Sequence, residues 1–249
     1  MILFDLDDTL FDSDKSVSVR TRNAIVQAHD SGIKIGYVTA RSQWSVGSLL
    51  SNLPLDAIVY YSGALVFCEN KLIFESSISR EQGKIFLDQF IEAYPKRGYM
   101  SIFEPYSYVA GGELWKNGAP CNENVKEASE KHGYQRIVLF NTTLNDFSIS
   151  QTDDITYLSS RYGGLVITPG DVSKGNAAKI IASHFGINTE NIVSFGDDTS
   201  DFSMLRVSGT GVAMKNAVYE VKSVADYITD SNNREGIAQW IEKYILQMR

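Results

Sequence analysis

Apolar and polar positions fall into short blocks whose spacing predicts the elements. Met1 to Phe4 are apolar and run directly into Asp5-Leu6-Asp7-Asp8-Thr9. A short apolar run of this kind predicts a buried strand. Side chains two apart on a strand share a face, so Asp5 and Asp7 are expected to point the same way at its end. A helix is predicted over 19–30, with Ile25 and Ala28 on its inner face and Gly32 just past its end. A second strand ends on Thr39 and Arg41, a helix is predicted over 42–52, and a third strand over 57–61 stops at Ser62-Gly63. The β-α-β-α-β rhythm implies a parallel sheet with right-handed crossovers. All three strands end on small polar or charged residues, as at an edge that binds ligands.

The middle of the chain changes character. A hairpin turns around Glu69-Asn70, and Phe86, Leu87, Phe90, Ile91 and Tyr94 mark one face of a helix over 79–94. Short strands are predicted at 99–103, 106–110, 136–140, 156–159 and 165–168, with a charged helix over 122–132. This pattern predicts an α+β insert over 78–167. The βαβ rhythm returns after Pro169-Gly170. Ser173 is the expected N-cap of a helix that starts at Lys174, and a strand is predicted over 191–195, running into Gly196-Asp197-Asp198. A short helix over 202–207, a strand over 211–214, a helix over 219–225, a strand at 227–228 and a final helix carrying Ile237, Trp240, Ile241 and Tyr244 complete the chain. The fold class read from this order is α/β. A Rossmann-like parallel-sheet core, built from 1–77 and 168–249, is interrupted by the insert.

Composition narrows the function. Of 249 residues, 43% are hydrophobic and 21% charged, as in ordinary globular proteins. A formal net charge of −7 argues against nucleic acid as the main partner. Cys68 and Cys121 stand far apart in no metal-ligand spacing, which fits buried thiols in a reducing compartment. No apolar run approaches membrane-spanning length and no basic leader opens the chain, so a soluble cytoplasmic protein with no membrane partner is expected.

Four separated signals carry the chemistry: Asp5-Leu6-Asp7-Asp8-Thr9, Thr39 closing a strand, Lys174 at a helix start, and Gly196-Asp197 followed by Asp201. Two carboxylates forced together at a strand end repel each other and call for a cation between them. Lys174 opposes the dipole of its own helix, so a compensating anion is expected beside it. In this order the four signals resemble the haloacid-dehalogenase-like superfamily of phosphotransferases. The long insert looks like the type IIB cap of the Cof-type sugar-phosphatase branch. Ser62-Gly63-Ala64 and the stretch from Gly211 to Ala217 are further local matches.

The resemblance implies a phosphatase that works through an aspartyl-phosphate. Asp5 would be the nucleophile, and Asp7 the acid that protonates the leaving oxygen and then the base that activates water. Mg²⁺ would be held by Asp5, Asp197 and the backbone carbonyl of Asp7. Lys174 and the Thr39 hydroxyl would face the phosphoryl oxygens. Asp201 would act behind the metal or on Lys174. Asp198 suits a turn, and Arg41 either lines the substrate entrance or pairs at the surface. Against the family pattern, Asp8, Ala40 and Lys215 stand where glycine is common, and Ser62 and Ser200 where asparagine is common. Ser62, Ser200 and Asn216 are expected near the substrate or behind the site. The expected substrate is a small phosphorylated metabolite, first of all a sugar phosphate, and the expected state is a monomer or weak homodimer. A phosphomutase, or a phosphate-binding regulatory module without catalysis, are the alternative readings.

Overall fold

Ile2, Leu3 and Phe4 form the first strand (β1) and all three are buried, so the opening apolar run sits at the centre of a sheet. The structure, a computed structural model, describes residues 1–103, 106–110, 133–143, 155–160 and 164–247. It forms two compact units, Met1–Glu75 with Ser173–Arg249, and Ser76–Val172. The helix expected over 122–132, together with Cys121, lies outside the described residues.

The first unit follows the predicted rhythm. Helix α1 (Val19–Asp30) is capped by the Ser18 side chain, which accepts the Thr21 N–H. It leads to β2 (Ile35–Val38), the short helix α2 (Gln43–Val46) and β3 (Ala57–Tyr60). The helix expected over 42–52 is therefore only one turn long: Gly47 takes φ 47 and ψ −127 and breaks it, and turns follow. The hairpin is β4 (Leu65–Cys68) and β5 (Lys71–Glu75).

In the second unit, α3 (Arg80–Ala93) precedes β6 (Tyr99–Phe103), β7 (Tyr106–Ala110), β8 (Arg136–Phe140), β9 (Ile155–Ser160) and β10 (Gly164–Pro169). These strands make a sheet in the order β7-β6-β8-β10-β9, with every pairing antiparallel. Along β8 the buried residues alternate, Ile137 and Leu139, as one covered face requires. They pack with Phe86, Leu87 and Phe90 of α3 in one apolar cluster.

The first unit resumes with α4 (Lys174–Phe185), β11 (Val193–Gly196), α5 (Phe202–Val207), β12 (Thr210–Ala213), α6 (Tyr219–Lys222), β13 (Tyr227–Ile228) and α7 (Gly236–Tyr244). Its sheet runs β13-β12-β11-β1-β2-β3-β4-β5, parallel from β13 to β3 and antiparallel beyond. Phe195 stacks on Phe4 with ring centroids 5.3 Å apart and meets Trp240 of α7 at 5.4 Å. The chain leaves β1 toward β2 and β3, and later returns to β11 on the opposite side of β1. Strand order therefore reverses at β1, and in open α/β sheets ligands bind at the strand ends of such a reversal.

Candidate active site

The C-terminal end of β1 carries two aspartates that leave it in different ways. The Asp5 N–H donates to the Phe195 carbonyl at 3.0 Å, which fixes the strand end to β11. The chain then makes a wide turn over Leu6–Leu10, closed by the Phe11 N–H on the Leu6 carbonyl at 2.8 Å. Helical conformation is interrupted at Asp7 (φ −72, ψ 127) and Asp8 (φ 59, ψ 9). The positive φ at residue 8 is the physical reason glycine is favoured at this point of the motif. Aspartate is among the few other residues at ease there.

Lys174 is 2% exposed, and its ammonium lies 2.6 Å from Asp5 Oδ1 and 2.5 Å from Asp201 Oδ1. These are the anions its place at a helix start calls for. Two glycines allow the approach. A Cβ on Gly175 would stand 2.6 Å from the Ser203 carbonyl oxygen, so its absence lets α4 close on α5. A Cβ on Gly196 would stand 2.6 Å from Asp201 Cγ. The second oxygen of Asp201 accepts the N–H groups of Asp197 (2.9 Å) and Asp198 (3.0 Å), which folds the loop after β11 back over the strand end. Asp197 in turn accepts the Thr9 hydroxyl at 2.7 Å, joining that loop to the opening motif. Asp198 accepts the Thr199 N–H and caps the following turn.

Asp5, Asp197 and Asp201 are all buried, and each offers a carboxylate oxygen within 4.8 Å of the others. Burial raises the Asp5 carboxyl well above its usual range, with Asp201 and Asp197 adding to the rise and Lys174 opposing it. For Lys174 burial works against the charged form, and the carboxylates of Asp201 and Asp5 more than reverse it, raising the ammonium. With all three carboxylates ionised, the single ammonium of Lys174 leaves two negative charges uncompensated among these four side chains. Hard oxygen donors with that deficit fit one divalent cation. Both Asp201 oxygens are engaged, one by Lys174 and the other by the Asp197 and Asp198 N–H groups, so Asp201 is the least suited of the three to hold it.

A second cluster forms around Asp7. Arg41 donates to it through two nitrogens, Nε to Oδ2 and Nη2 to Oδ1, both at 2.7 Å, and Lys15 Nζ adds a third bond at 2.9 Å. Burial pushes this carboxyl up, but the bonds from Arg41 and Lys15 outweigh it and hold it at about 2. In the free protein Asp7 is in its base form at neutral pH.

The remaining expected residues are spread around the same sheet edge. Thr39 is buried at the end of β2, and its hydroxyl accepts the Arg41 N–H at 3.1 Å. Ser62 is buried with φ 59 and donates its N–H to the Thr39 carbonyl at 2.8 Å. Ser200 lies exposed on the turn Thr199–Asp201, with nothing in the structure to give it a role. Asn216 donates to the Asp8 carbonyl at 2.7 Å and accepts the Asn232 N–H at 3.1 Å, bracing the motif turn. Sequence reasoning gave no role to Thr9 or Lys15. Thr9 was visible as the last residue of the motif. Lys15 had the signal of a lone base in an acidic loop.

With this geometry in place, comparison with known proteins decides the family. Residues 2–241 match the family described as haloacid dehalogenase-like hydrolase. The chain belongs to this family. The resemblance read from the four motifs is borne out. A 5-amino-6-(5-phospho-D-ribitylamino)uracil phosphatase of Bacillus subtilis, YwtE, is 25% identical over 98% of this chain and 97% of its own length. A putative phosphatase of Streptococcus pyogenes is 27% identical over 99% and 98%. The subclass IIB sugar phosphatase BT4131 superposes with a TM-score of 0.81 at 26% identity, covering 98% of each chain. TM0651 of Thermotoga maritima superposes at 0.83 with 23% identity over 97% of this chain and 96% of its own, which speaks for the fold. The α/β core expected from the strand rhythm is thus the fold of this hydrolase family. Among the described residues no helix is long and apolar enough to cross a membrane.

Proposed function

We propose that this phosphoric monoester hydrolase uses Mg²⁺ and an aspartyl-phosphate on Asp5 to hydrolyse small phosphorylated metabolites, sugar phosphates foremost. The observation that carries the reading is the buried quartet of Asp5, Lys174, Asp197 and Asp201, whose charge and donor set fit a divalent cation at the end of the central strand. Asp5 and Asp197, with the Asp7 backbone carbonyl, would hold the cation, and bound there it would supply countercharge to the phosphoryl oxygens.

Asp5 attacks phosphorus through a carboxylate oxygen while the bond to the leaving oxygen breaks, which divides one hard step into two. Lys174 lies against Asp5 and places a fixed positive charge beside the reacting group. Asp201 keeps that ammonium in position and acts through it. The Thr39 hydroxyl accepts from the backbone, so its own hydrogen is a donor to a phosphoryl oxygen. Asp7 gives a proton to the leaving oxygen and then takes one from the water that attacks the aspartyl-phosphate. To do so its carboxylate must first leave the fork of Arg41 and take up a proton from solvent. The sugar-phosphate preference is supported by the likeness to BT4131. The buried free thiol of Cys68 suits a cytoplasmic setting.

The test is phosphate release from a panel of phosphorylated sugars with Mg²⁺ or with EDTA. Release is expected with Mg²⁺ and lost with EDTA. Release undiminished by EDTA would contradict the metal assignment. Conversion of one sugar phosphate into its isomer without free phosphate would establish a mutase instead.

A further inference from the structure

The reaction above needs one proton donor at the leaving oxygen, yet the structure brings two cations to that donor. Three charge-assisted hydrogen bonds converge on the Asp7 carboxylate. The Arg41 guanidinium is also held without Asp7. The ring of Phe11 lies 5.3 Å from its central carbon, and Nη1 reaches the Ser45 carbonyl at 3.4 Å. Lys15 projects from a turn in which the Asp12 carboxylate accepts the N–H groups of Asp14 (3.0 Å) and Ser16 (2.9 Å) and the Ser16 hydroxyl (2.7 Å). Lys15 itself takes φ 57, a conformation uncommon for a lysine and one that strain-bearing functional sites tolerate.

A guanidinium fork fixed in this way matches any planar pair of anionic oxygens. Asp7 fills it in the free protein as a tethered carboxylate. Exposure separates the two groups of cations: the side chains of Arg41 and Lys15 are 22% and 45% exposed, whereas that of Lys174 is 2% exposed. Lys174 therefore serves only what reaches Asp5. Arg41 and Lys15 stand beside Asp7, the residue read above as serving the leaving oxygen.

We propose that Arg41 and Lys15 form a subsite for a second anionic group on the leaving part of the substrate, a carboxylate or a second phosphate. On binding, that group takes the place of Asp7 in the fork and frees Asp7 to face the leaving oxygen. The inference rests on the phosphatase reading above and narrows its substrates to phosphorylated sugar acids and sugar bisphosphates.

The experiment compares kcat/KM within two pairs, 6-phosphogluconate against glucose 6-phosphate, and fructose 1,6-bisphosphate against fructose 6-phosphate. Turnover of p-nitrophenyl phosphate, which has no second anion, is followed alongside. In the wild type the more anionic member of each pair is expected to be favoured by about tenfold or more, chiefly through KM. Arg41→Met should bring the ratio close to one. Arg41→Lys, which keeps the charge and loses the fork, should restore it only in part. Lys15→Met should lower it by less. A wild-type ratio near one, or a ratio that persists in Arg41→Met, would overturn the subsite. If p-nitrophenyl phosphate is still hydrolysed in that case, the phosphatase reading stands without it. Absence of hydrolysis from every compound would overturn both.

Discussion

Lys174 and Arg41 each carry one positive charge, and each binds an aspartate of the opening motif, but they do so in opposite surroundings. Around Lys174 the partners are Asp5 and Asp201, and no member of the group is more than 6% exposed. Around Arg41 the partner is Asp7, with Lys15 sharing it near the surface. Burial makes the first group an all-or-none arrangement. Removing one member strands the others without water, and the cost of an unpaired buried charge exceeds what the pair contributed. The second group is partly exposed, so its bonds can exchange and an incoming anion can compete for them. One site thus joins a rigid charge frame, which suits a reaction centre, to an adaptable one, which suits selection of the leaving group.

The largest expected effect is on stability. Lys174→Met should destabilise the folded chain by about 3–5 kcal/mol, because Asp5 and Asp201 then face each other buried and unpaired. Arg41→Met should cost about 1 kcal/mol or less, as for a partly exposed pair. Urea unfolding of the two variants checks the contrast. Equal losses would remove the distinction between the groups.

A smaller effect sharpens the same contrast through pH. The Asp7 carboxyl is lowered in the folded chain from 3.8 to about 2. A depressed carboxyl contributes stability that is fully present above the unfolded value and is lost as pH falls through the folded one. Wild type should therefore lose more stability than Asp7→Asn between pH 4 and about 2. Thermal melts across that interval measure the difference. Parallel curves would show that Arg41 and Lys15 do not hold Asp7 as described.

Much of this molecule was legible from one-dimensional pattern. The apolar run before Asp5 and the Ser173 cap are local features, and each formed as the pattern predicts. The four motifs met at one sheet edge because a parallel sheet brings strand ends together. The overlong helix at 42–52 failed at Gly47, where apolar spacing continued while the backbone turned away. What could not be read were contacts whose only cause is the fold. Thr9 reaches Asp197 across 188 positions, and Asn216 reaches Asp8 across 208. The bidentate grip of Arg41 on Asp7 depends on the kink at Asp7 and Asp8, and periodicity carries no signal of it.

The most direct test of the central claim, that the buried frame around Lys174 makes Asp5 a phosphoryl acceptor, is rapid acid quench of the enzyme during turnover of a ³²P-labelled sugar phosphate with Mg²⁺, followed by peptide mapping. The account predicts label on the N-terminal peptide at Asp5, appearing before steady-state phosphate release. It also predicts that label and turnover both vanish in Asp5→Asn, with activity down by about 10⁴-fold or more. Label on another residue, or full turnover by Asp5→Asn, would contradict it.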